Sequence, residues 1–191
     1  MTKNRIEAFS DGVLAIIVTI MVLEMKVPHG ANLEDIRPLF DVFLSYILSF
    51  IFVLIYWNNH HHLFQAVKHV DGSVLWANGH LLFWLSLLPF VSGWMGENHF
   101  AALPVLLYAI VAFMAGFAYY LLTVTLLKIH DNDSILKQGV GNKKKEMLSL
   151  YLYIAAIGFA YFIPLVSCGF FVLVSIMWLI PNKKIEKIIN D

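Results

Sequence analysis

Charge is what this chain has least of. Asp, Glu, Lys and Arg make up 14% of its 191 residues, and 60% are hydrophobic. Soluble domains carry about a quarter charged residues. A chain of this size could not hide so much apolar surface in one aqueous core, so a lipid bilayer must cover much of it. Net charge is zero, so no global field favours nucleic acid or acidic substrates, and no nucleic-acid partner is expected. The single cysteine, Cys168, excludes an intrachain disulfide and any multi-cysteine metal site. Its apolar surroundings suggest an inert buried thiol. No cleavable leader is expected either. The first apolar run shows no small-x-small cleavage site before Glu24 and is read as a retained first span. No internal repeat is visible, so symmetry is not expected from within the chain. No segment is large enough for a soluble catalytic domain.

What the chain has in abundance is long hydrophobic runs. A helix needs about 20 apolar residues to cross the hydrocarbon layer. Six segments qualify: residues 6–25, 40–57, 74–95 and 101–127, then two that share the apolar block from Met147 to Ile180. Pro164, followed by Ser167, Cys168 and Gly169, breaks that block. Five spans with a long re-entrant segment is the competing count. The basic residues favour six. With the N-terminus inside, eleven of the thirteen Lys and Arg residues fall inside, and only Lys26 and Arg37 outside. Five spans would put the C-terminal lysines on the wrong side. The expectation is an all-α integral membrane protein, residues 1–191 forming one six-span domain with both termini cytoplasmic. The loop from Lys128 to Glu146 carries Gly139, Gly141 and the run Lys143–Lys145. It reads as topology-setting and solubilising charge, with anionic-lipid contact as the functional alternative.

The first span begins unusually. Arg5, Ser10 and Asp11 stand at the mouth of a membrane helix, where charge is costly and seldom without a use. At 3.6 residues per turn, Gly12, Ile16, Thr19 and Leu23 form one narrow stripe, flanked by Ile20. Asp11 lies off it. The stripe alone reads as helix packing or lipid contact, since Ile, Thr and Leu are ordinary in membrane helices. Asp11 argues for a buried first helix, because it needs a partner away from lipid. Candidates are Arg5 and the histidines that close the second span.

Those histidines, His60, His61 and His62, follow Tyr56, Trp57, Asn58 and Asn59. Adjacent helical residues point about 100° apart, so the three cannot ligate one ion from a regular helix. No metal site and no cofactor are expected. One or two of these imidazoles should hydrogen-bond to Ser10, Asp11 or the chain, the rest facing solvent. Protonation near neutral pH would make that contact pH-sensitive. In the third span Asn78 is suited to bonding across helices, His80 to a structural contact, and Pro89 to a kink whose freed carbonyl neighbours satisfy. Ala109, Ala112 and Gly116, with Ala156 and Ala160, permit close helix approach.

Arg5-x-x-x-Phe9-Ser10-Asp11, followed by Ala15-Ile16 and Thr19, closely resembles the signature of the transmembrane protein 175 family of potassium channels. Trp57 with the histidine cluster, and Asn78 with Leu88-Pro89-Phe90, look like that family too. The resemblance covers the chain well as far as Phe90. It implies an all-helical protomer of six membrane helices, assembled as a homotetramer in the prokaryotic members, with the first helix lining a central pore for potassium ions. It also implies a constriction at Ile16, a contribution of Thr19 to potassium preference, and a further apolar ring at Leu23. The Phe9-Ser10-Asp11 motif would tie helices together near the cytoplasmic end. Arg5, Phe9, Ser10, Asp11, Trp57, His60, His61 and Asn78 are thus expected in one structural polar network. A Thr-Val-Gly-Tyr-Gly segment is absent, so no filter of extended backbone carbonyls can form. Selection would then rest on pore radius, the Thr19 Oγ1 oxygens and the cost of stripping water at apolar rings.

The leading expectation is a homotetrameric, potassium-preferring cation channel of the plasma membrane. The alternative is a secondary transporter or proton-coupled carrier using Asp11 and the histidines as a relay. An enzyme is not expected, because no acid, base and nucleophile converge at one depth.

Overall fold

The computed structural model describes residues 2–130, 136 and 144–179, and every regular element among them is helical. The first helix, α1, runs Lys3–Leu23. A short α2 (Leu33–Ile36) and a 3₁₀ turn (Arg37–Leu39) lead into α3 (Phe40–Gln65). Then come α4 (Gly72–Ser86), α5 (Leu88–Glu97), α6 (Ala102–Lys128), α7 (Lys144–Ala160) and α8 (Pro164–Leu179). Four spans are long and apolar enough to cross a membrane: Lys3–Leu23, Leu33–Gln65, Gly72–Glu97 and Ala102–Lys128. The apolar helix Pro164–Leu179 is shorter.

Local chemistry sets the boundaries. Asp71 caps α4, its Oδ1 accepting from the Val74 amide at 3.0 Å and from Ser73 Oγ at 2.6 Å. These donors favour the ionised carboxylate, with Ser73 the largest influence, and hold Asp71 below the usual aspartate range. Pro89 sits in the first turn of α5, where its missing N–H costs little. The helix breaks two residues before it, at Leu87, so the third span is two helices in series. Pro164 opens α8 in the same way. Between α5 and α6, His99 (φ 50°) and Phe100 (φ 57°) turn left-handed, and the Phe100 amide closes back on Met95 O at 3.0 Å. His99 Nδ1 meets Asp41 Oδ2 at 2.6 Å and ties this turn to the start of α3. Lys26 pairs with Glu97 at 2.7 Å on the same side, and that hydrogen bond raises the lysine pKa.

The second span runs on as α3 to Gln65, past the expected end at Trp57, and carries all three clustered histidines. The core lies where α6 packs on α4 and α7, and α3 on α5. Ala109, Ala112, Ala115 and Ala118 are fully buried along α6, which lets neighbouring backbones come close without a hydrophobic drive from water. Ala156 and Ala160 do the same on α7. Gly96 is an extreme case. A Cβ there would lie 2.6 Å from Val42 Cα. Lys137, Lys143, Lys183, Lys184, Lys187, Gly139 and Gly141 lie outside the described residues.

Candidate functional site

Helix α1 has two unlike faces. Ile6, Ser10, Leu14, Ile17 and Met21 recur every three or four residues and are buried against α3, α4 and α5. The opposite face turns away from the protomer. It carries Gly12, Ile16, Thr19, Ile20 and Leu23, with Ile16 58% and Leu23 79% exposed. Thr19 Oγ1 donates back to its own helix, toward Ile16 O at 2.9 Å and Ala15 O at 3.1 Å. A hydroxyl has one proton and two lone pairs. With the proton turned to the helix, the lone pairs are left for an outside donor or cation.

Behind this face runs a buried polar chain across three helices. Ser10 on α1, Asn78 on α4 and His60 on α3 are each 3% exposed or less. Asn78 Nδ2 donates to Ser10 Oγ at 2.9 Å, and His60 Nε2 lies 2.8 Å from Asn78 Oδ1. The amide oxygen accepts, so His60 carries its proton on Nε2 in this arrangement. Its ring also stacks on Phe64, centroids 4.4 Å apart. Thus Ser10 and the histidine meet through Asn78 and not directly.

Asp11 is exposed beside the stripe and accepts from Trp57 Nε1 at 3.0 Å. The indole takes the place expected for Arg5 or an imidazole. Trp57 stacks on His61, centroids 6.3 Å apart, and Gln65 Nε2 meets His61 Nε2 at 2.8 Å. Arg5 and Phe9 are exposed, Phe9 by 63%, outside both of these hydrogen-bonded groups. His62 is half-buried, its Nδ1 without a hydrogen-bond partner among the described residues. His80 accepts from Trp84 Nε1 at 2.9 Å within α4. The three consecutive imidazoles diverge around α3. Among the described residues no three His, Cys, Asp or Glu side chains gather as a metal ion would need.

Two polar features escaped the sequence reading. Ser49 Oγ, Ser92 Oγ and Tyr108 Oη form a buried hydroxyl cluster joining α3, α5 and α6, with Ser49–Ser92 at 2.9 Å and Ser49–Tyr108 at 3.1 Å. The Ser45/Ser49 pair, four apart in an apolar run, was the available signal. Lys3 Nζ donates to Val67 O at 3.1 Å and to Gln65 O at 3.4 Å. It anchors the start of α1 to the end of α3, a contact that no local pattern announces.

The family described as "Endosomal/lysosomal potassium channel TMEM175" matches residues 5–89. That segment contains α1 from Arg5 onward, the Ser10–Asn78–His60 chain, the Asp11–Trp57 pair and the break before Pro89. A potassium channel of Chryseobacterium sp. (strain P1-3) is 52% identical over the whole of both chains. A potassium channel of Chamaesiphon minutus is 38% identical over 100 residues, 49% of each chain. Among solved structures, the fold is similar to that titled "Crystal structure of a lysosomal potassium-selective channel TMEM175 homolog from Chamaesiphon Minutus". The TM-score is 0.75 at 27% identity, covering 94% of this chain and 97% of that one. With full-length identity of this order and the signature on α1, the chain belongs to the TMEM175 family.

Proposed function

We propose that the chain is one subunit of a homotetrameric, potassium-preferring cation channel of the plasma membrane, with six spans and both termini cytoplasmic. Four α1 helices line its pore. The observation that carries this reading is the outward face of α1. Thr19 bonded to its own helix is compatible with lipid, and the family match over residues 5–89 favours an axis instead. A helix facing an axis makes each residue a ring. Ile16 is then the narrowest apolar ring, able to close by dewetting. Leu23 is a second apolar ring. Thr19 lies between them, with lone pairs free to replace part of an ion's hydration shell. The Ser10–Asn78–His60 chain holds α1 to α3 and α4 at fixed rotation, and Trp57 draws the Asp11 carboxylate aside from the ion path. Such a pore selects modestly, because it has no fixed cage of carbonyl oxygens.

Planar-bilayer recording of the purified protein under a potassium/sodium gradient tests this. Unitary currents with a reversal potential on the potassium side are expected. Saturable, counter-ion-dependent uptake without unitary currents would replace the channel by a carrier.

A further inference from the structure

The short link between α3 and α4 is gripped from two sides. Lys3 Nζ, at the start of α1, donates to Val67 O at 3.1 Å. The other end of that same peptide unit, the Lys68 amide, donates to His130 Nε2 at 3.1 Å, just past the end of α6. One peptide group thus holds α1 by its oxygen and α6 by its nitrogen. The partners fix the state of the imidazole. His130 Nδ1 lies 2.8 Å from Leu126 O. That carbonyl can only accept, and the Lys68 amide can only donate. His130 therefore carries one proton, on Nδ1, and is neutral in this arrangement. It is 5% exposed, and His69 stacks on it with centroids 4.6 Å apart. His69 Nε2 donates to Ile129 O at 2.9 Å, a contact that either charge state of that ring can make.

We propose that His130 is a proton-operated latch that sets the seating of α1. A proton added to Nε2 turns the acceptor into a donor that faces another donor. The Lys68 amide is then stranded and the 67–68 peptide turns away. Lys3 loses its shorter contact and keeps only Gln65 O, at 3.4 Å. Surrounding charge does not offset this. Lys3, Lys68 and Lys128 are the cations on the elements that meet here, and Asp71, the carboxylate of the link, is used in the cap of α4. Asp131 and Asp133 lie outside the described residues, and a carboxylate beside the ring would favour the protonated, released state. Imidazoles change charge between about pH 5 and 8, so the latch is closed at the upper end and released at the lower. In the topology proposed above, the proton comes from the cytoplasm. The latch rests on contacts within one protomer, and its bearing on the pore rests on the channel reading.

The test is amide hydrogen exchange on the full-length protein in detergent micelles, at about pH 8 and about pH 5, with labelling times scaled to the intrinsic rates. The segment 66–71 should lose about tenfold in protection at the lower pH, the worth of one hydrogen bond. The first turns of α1 should open with it. His130→Phe keeps a ring against His69 but cannot accept, so the link should be unprotected at both pH values. His130→Gln offers a neutral acceptor throughout and should stay protected at both. Lys3→Met should keep the response of the link and abolish that of α1. His69→Gln should respond as the unaltered chain does. Protection that ignores pH in the unaltered protein, a response that persists in either His130 variant, or one lost with His69→Gln would overturn the proposal. Exchange is read without an ion gradient, so a failure of the channel reading leaves this result intact.

Discussion

Asn78 stands between two side chains that have no water to turn to. Its amide donates to Ser10 and accepts from His60, so Asn78→Ala strands both. Each buried group left unsatisfied costs about 1 to 3 kcal/mol. Measured membrane cases fall lower, and a net loss of about 2 kcal/mol is expected. A lowered melting temperature in detergent, with α1 more open to hydrogen exchange, would register it. Thr19 behaves differently. Its hydroxyl is bonded only to its own helix, so Thr19→Ala should leave stability unchanged within about 0.5 kcal/mol. The potassium-to-sodium permeability ratio should nevertheless fall, and a ratio that stayed put would remove Thr19 from selectivity. Ile16→Ala should raise potassium flux into vesicles, since Ile16 is 58% exposed within its own protomer and would narrow the proposed conduit.

At the scale of the element, the tightest joint is α5 on α3. Gly96→Ala would push a methyl against Val42 Cα and Ser45 Oγ, contacts of 2.6 and 2.5 Å. The backbone cannot yield as a side chain can, so overpacking of about 1 to 3 kcal/mol is expected, read as a drop in thermal midpoint. The cap of α4 carries a pH signature. Asp71 is held below its normal range when folded, so its contribution is present above the unfolded carboxylate pKa. It is lost as pH falls through the folded value. Asp71→Asn should flatten the dependence of melting temperature on pH below about 4. Helix ends of this kind were partly legible. Pro89 and Pro164 break their helices where proline chemistry requires. The end of α3 was not legible, because hydropathy reports lipid depth while the helix continues until hydrogen bonding stops after Gln65. Two faces of α1 could be drawn from 3.6-residue spacing, and Asn78 could be marked as a cross-helix donor. The pairing of Asp11 with Trp57 could not, because it depends on the rotation of α3 against α1, which no single helix encodes.

For the molecule as a whole, α1 is the least covered of the four spans long enough to cross a membrane. Its apolar window is 28% buried within the protomer, against 44% for Gly72–Glu97 and for α6. In the proposed assembly the missing cover comes from other copies. With Cys168 first replaced by Ser, Leu23→Cys should yield covalent dimers on mild oxidation in membranes, from side chains that meet near the axis. A chain that stays monomeric on the gel under those conditions would argue against a shared axis.

In the proposed tetramer the outward stripe of α1 would also set how a lesion is inherited by the complex. One altered codon changes every wall of the conduit at the same height. When variant and normal chains are produced together, the products would form a graded series with none to four modified walls. Each member should have its own conductance level, and the spread of levels in a single recording would count the subunits directly.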